Sequence, residues 1–110
     1  MEFLSESHQN TFAHLMELNG APSSRGMAAL YLLARFGTRM ARYVSPGEIA
    51  MDELLEDSKP WSSGERALVQ LAAHLLTPWA WPCTVDEALS SLDADNFEVA
   101  LEALRIAYGK

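Results

Sequence analysis

The side chains of this chain that could do chemistry are few in kind: one thiol, Cys83, three histidines, His8, His14 and His74, and fifteen carboxylates. A nucleophilic cysteine needs a base beside it and an electropositive pocket. Cys83 sits between Pro82 and Thr84 in an acid-rich stretch, with His74 its nearest histidine, and reads as a small half-buried hydrophobe at a helix start. His8 and His14 are six residues apart and fall on different faces of a helix, whereas zinc sites use closer pairs, so no metal is expected. Asp93, Asp95 and Asn96 imitate the start of a calcium loop, but Glu98 stands where the loop needs glycine and Leu104 where it needs the bidentate glutamate. General acid and base work requires two carboxylates whose pKa values are driven apart in a cleft, and no such pair announces itself. Without a strand there is no place for a Gly-rich phosphate cradle. The expectation is therefore no catalytic residue, no cofactor and no metal.

Two sets of residues suit recognition instead. Arg35, Arg39 and Arg42 follow an i, i+4, i+7 spacing that would project three guanidiniums from one side of a helix toward an acidic partner. The competing expectation is that they pair internally with the acidic Glu48 to Asp57 segment. Trp61, Trp79 and Trp81 form the second set. In the stiff stretch from Pro78 to Pro82 alternate rings would point the same way if the chain were extended, giving a patch to grip a partner, or else would cover the core.

Charge is segregated along the chain, with a formal net of -7. Met1 to Ser24 holds three acids and no Lys or Arg, Arg25 to Tyr43 four arginines and no acid, and Val44 to Glu65 six acids against Lys59. The arginine segment is the only basic region, too small for the whole basic face that nucleic-acid binders carry. The last two helices have the outline of a helix-turn-helix, yet Glu98 and Glu102 oppose DNA in the second of them.

The elements that must position these groups are read from apolar spacing. Phe12, Leu15, Met16 and Leu18 place a helix at about Glu6 to Leu18, ended by Asn19 and Gly20. Met27, Leu30, Tyr31, Leu32, Leu33 and Phe36 make a second helix apolar nearly all round, the buried centre, which is expected to stay helical through Met40 to Tyr43 until Ser45, Pro46 and Gly47 break it. A short acidic helix with Leu54 and Leu55 inward follows. Ser62 with Glu65, and Thr84 with Glu87, have capping-box spacing; they open a helix running to about Leu76 and a short one through Leu92. Asp95 and Glu98 repeat the spacing before a last helix with Phe97, Leu101, Leu104 and Tyr108 in line. The fold class expected is all-α: a single domain over residues 1 to 110, a compact bundle of five or six helices with no sheet. At 110 residues, with 49% hydrophobic residues, one core can close unaided. A lone cysteine, an amino terminus without a leader pattern and no apolar run near the about 20 residues of a membrane span lead to a cytoplasmic, membrane-free expectation.

The opening Phe3 to His8, the block Trp61, Ser62, Ser63 and Gly64 with Leu68, Leu71 and Ala72, and the late Leu92, Asp93, Asp95, Asn96 and Phe97 together resemble a small family of uncharacterised bacterial and phage-associated helical proteins, a domain of unknown function. The resemblance implies a helical fold and supplies no activity, cofactor or site residue. Function is therefore expected to be noncatalytic: a protein-interaction or accessory domain with an unknown protein partner or self-association, from a mobile element if the resemblance holds. The alternative is a nucleic-acid-related regulator, by phosphate contact through the arginines or by acidic mimicry. An enzyme with a site dispersed in sequence ranks third.

Overall fold

A computed structural model describes residues 1–20 and 22–110. Its elements, in chain order, are α1 (Glu6–Asn19), α2 (Ser24–Ala34), a 3-10 helix (Thr38–Tyr43), β1 (Val44–Ser45), β2 (Glu48–Ile49), α3 (Met51–Asp57), α4 (Ser63–Leu76), α5 (Val85–Leu89) and α6 (Ala94–Tyr108). Helix dominates, as expected. The correction is twofold: the described residues hold six α-helices and one 3-10 helix, and they include an antiparallel two-stranded sheet where none was foreseen.

α2 is the centre because its sequence offers water almost nothing. Every residue from Ala28 to Ala34 is at most 2% exposed, and the helix packs against α1, α4 and α6 at once. α4 packs on it and buries Ala67, Leu68, Leu71, Ala72 and Leu75. α6 lines the other side with Val99, Ala100, Ala103 and Ala107, while Phe97 and Tyr108, the ends of the row that helical spacing picks out, are exposed. Small residues on one face let the α6 backbone approach α2 closely, and the larger leucines of α2 fill the space between.

The second helix does not reach Tyr43. α2 ends at Ala34, and Gly37 takes φ +90, a conformation that residues with side chains rarely adopt, which turns the chain before the 3-10 helix begins. Pro46 followed by Gly47 at φ +72 is the pair that a type II turn needs, and it closes the hairpin with Val44 opposite Ile49 and Ser45 opposite Glu48. Asn19, buried at the end of α1, braces this hairpin: its Nδ2 donates to the carbonyls of Ser45 at 3.1 Å and Glu48 at 3.3 Å, and its own carbonyl accepts from Gly47 N at 2.9 Å.

Caps set the remaining helix starts. Both capping boxes form: Ser62 Oγ accepts from Glu65 N and Thr84 Oγ1 from Glu87 N, with each glutamate returning to the cap amide. α6 starts two residues earlier than its Asp95 and Glu98 spacing implied, since Asp93 is the N-cap and its Oδ1 accepts from Asn96 N at 2.8 Å. α5 stops at Leu89, short of Leu92. Ser62→Ala should lower stability by about 1 kcal/mol, whereas Ser62→Gly should cost only a few tenths, because glycine lets water reach the freed amides. Urea unfolding of the two variants checks this, and an undiminished stability in Ser62→Ala would show that the cap hydroxyl contributes nothing.

Candidate functional site

The three arginines do not form one helical stripe. Arg35 is the C-cap of α2, Gly37 turns the chain, and Arg39 and Arg42 stand on the 3-10 helix. The expectation of a continuous face fails because the 3-10 helix winds about three residues per turn, after a break that an unbroken α-helix would not contain.

The fold nevertheless gathers them along two neighbouring clefts that share Arg39. The first, of about 440 Å3, is lined by Arg35, Phe36, Arg39, Ser62, Glu65, Asp93 and Asn96. Its walls are the end of α2 and the N-termini of α4 and α6. The second, of about 380 Å3, is lined by Arg39, Met40, Arg42, Tyr43, Asp57 and Trp61.

Each arginine meets a different environment. Arg35 is half-buried and its Nε donates to Asn96 Oδ1 at 3.0 Å. Arg39 is exposed; its Nε donates to the Phe36 carbonyl at 3.2 Å and its guanidinium lies 4.4 Å from the centre of the Trp61 ring, which in turn tilts against Phe36 at 5.1 Å. Arg42 pairs with Glu53 at 3.3 Å, both side chains more than half exposed, and passes over the Tyr43 ring at 5.2 Å. An ion pair so open to water is worth about 0.2–1 kcal/mol. Among the described residues, Arg42 is the only one of the three that pairs with a carboxylate, so internal pairing with the Glu48 to Asp57 segment accounts for it and not for Arg35 or Arg39.

The carboxylates lining these clefts are committed elsewhere. Glu65 Oε1 accepts from Ser62 N and Ser62 Oγ, and Asp93 accepts from Asn96 N, so each offsets the positive end of its own helix. Asp57 Oδ2 accepts from the Tyr43 hydroxyl at 2.7 Å, and burial followed by this bond pushes the Tyr43 pKa up.

The tryptophans separate. Trp61 packs half-buried on the core beside Arg39. The connector after α4 is a turn and not an extended strand: Ala80 N and Trp81 N both donate to the Thr77 carbonyl, so Trp79 and Trp81 do not share a side. Trp81 packs against the core, and its carbonyl lies 2.9 Å from His74 Nδ1, while Trp79 is 84% exposed. Burial, then the nearby Glu87, raise the Cys83 pKa, which keeps that side chain a neutral thiol near pH 7. Among the described residues no three His, Cys, Asp or Glu side chains come together in a way that could hold a metal ion, and no helix is long and apolar enough to cross a membrane.

Phe36 and Asn96 also line the first cleft, a place that the sequence does not give to either of them. Phe36 counted as core, and Asn96 becomes a partner of Arg35 only through a contact 61 residues away along the chain, which no local spacing signals. Comparison with protein-family models, with curated proteins and with solved structures finds no match in any of the three.

Proposed function

We propose that this chain is a noncatalytic interaction domain that docks an acidic segment of a partner protein on the clefts shared by Arg39. The observation carrying this reading is that Arg35 and Arg39 face one cleft without an ion-pair partner among the described residues, with Arg39 laid on Trp61. A guanidinium held by its Nε keeps its terminal N–H groups for a carboxylate, which it can grip with two parallel bonds. The Trp61 ring fixes Arg39 in place before anything binds, so less side-chain freedom is lost on docking, and it offers the partner a flat apolar contact. A nucleic acid fits less well: two unpaired arginines flanked by Glu65 and Asp93, on a chain of net charge -7, make a poor track for a phosphate backbone.

The test is a titration of fluorescein-labelled hexaglutamate, with a single-stranded oligonucleotide of equal charge in parallel. Hexaglutamate should bind, weaken as salt rises, and lose about tenfold in affinity in the Arg35→Ala/Arg39→Ala double variant, which corresponds to about 1.4 kcal/mol. Arg42→Ala should change little, because Arg42 already has Glu53. Tighter binding of the oligonucleotide, or equal losses in all arginine variants, would overturn the acidic-segment reading.

A further inference from the structure

The residues ahead of α1 have no regular structure of their own, yet three polar contacts tie them to three different helices. Glu2 N donates to Glu102 Oε2 of α6 at 2.9 Å, the Glu2 carbonyl accepts from the Tyr31 hydroxyl of α2 at 2.5 Å, and Leu4 N donates to His8 Nδ1 of α1 at 3.2 Å. Between these ties the Phe3 ring meets His8 edge-on at 5.3 Å and leans on Phe12 and Tyr31 at 5.6 and 5.7 Å.

His8 is 3% exposed, and both of its ring nitrogens are spoken for. Nε2 lies 2.9 Å from the Tyr31 carbonyl, which can only accept, so Nε2 carries the proton. The amide of Leu4 can only donate, so Nδ1 has to be bare. One neutral tautomer satisfies both neighbours. A second proton on Nδ1 would set two N–H donors against each other in a buried place, and an unmatched buried donor is costly.

We propose that His8 is a pH-sensitive latch: protonation of its Nδ1 expels the Leu4 amide and loosens the Phe3–Leu4 stretch, while Glu2 keeps its ties to Tyr31 and Glu102 and the core stays folded. The titratable and charged groups round the ring are the Tyr31 phenol and the Arg35 guanidinium of α2, Glu2 of the segment itself, and Glu102 of α6 beyond Tyr31. Burial holds the His8 pKa below its ordinary 6.5, helped by Arg35 and opposed by the bond to the Tyr31 carbonyl. The latch is therefore fully closed above 6.5 and opens as pH falls below it through the lowered value. Glu102 is held below its ordinary 4.5, chiefly by the Glu2 amide, so its tie survives to greater acidity. Tyr31, pushed up to about 12 chiefly by burial, remains a donor throughout. The His8 tie is thus the first to go.

The inference stands independently of the docking reading, and NMR tests it on the full chain. His8 ring nitrogen shifts and the heteronuclear NOEs of the Phe3 and Leu4 amides are followed from about pH 7.5 to about pH 5, the range in which histidine changes charge. At the upper end Nδ1 should be unprotonated and the two amides as ordered as α1; as Nδ1 gains its proton their NOEs should collapse while the amides of Leu30 and Leu68 stay protected. In His8→Gln, which has no charge to gain, the NOEs should not respond to pH. Leu4→Pro, which removes the donor outside α1 and keeps His8, should leave the segment loose at both ends of the range, read at the Phe3 amide since proline has no N–H, even if His8→Gln does not fold. An ordered segment beside a protonated His8 ring, or a Leu4→Pro segment as ordered as the wild type at the upper end, would overturn the latch.

Discussion

Leu30→Ala should lower the free energy of unfolding by about 3 kcal/mol, the middle of the range for a leucine truncated in a rigid core. Leu30 is fully buried in α2, whose neighbours close round it from α1, α4 and α6. A cavity there cannot be filled by the shift of one loop, because three helices would have to move together. Stabilities of domains this size run to about 5–15 kcal/mol, so the variant should fold with a melting temperature lower by on the order of 15 °C. Chemical unfolding with an unchanged denaturant slope is the measurement. A loss under about 1 kcal/mol would mean that the centre of the molecule repacks freely and that α2 is not its anchor.

The second large effect belongs to Asn19. Replacing it by alanine removes the donor shared by the carbonyls of the exposed Ser45 and Glu48, which water can then reach, a cost of about 1–2 kcal/mol for the two bonds. A signature separates this loss from that of Leu30. Exchange protection should vanish first at the hairpin amides, above all at Gly47 and Ala50, which donate to Asn19 and Tyr43. Uniform loss of protection through all helices would show instead that the brace is part of the global fold.

Much of this architecture could be read from residue order, and where it could the reason is local. Ser62 and Thr84 announce helix starts because a cap and the amide it bonds are three residues apart. The run from Leu30 to Leu33 announces a buried helix because no polar face interrupts it. What was hidden depends on partners distant along the chain. A two-residue strand pair has too little alternation to register against helix, and its support comes from Asn19, some 26 positions away. On α6 helical spacing puts the bulky Phe97 and Tyr108 in one row, but it is Val99, Ala100, Ala103 and Ala107 that are buried, a choice set by α2 and not by α6 itself. At the candidate site residue types were legible and geometry was not. The arginine spacing assumed an unbroken helix through Gly37, and that glycine's positive φ is what divides Arg35 from the other two.

The place of α2 has a consequence for biosynthesis. Its last wall, α6, leaves the ribosome after the other helices packed on α2, and Arg35 must wait for Asn96 and Ser24 for the Ala107 carbonyl across sequence separations of 61 and 83. Until then a greasy flank of the nascent chain is bare, so no fragment ending before α6 should persist as a native-like body, and the helices ahead of α6 are a natural client for a chaperone.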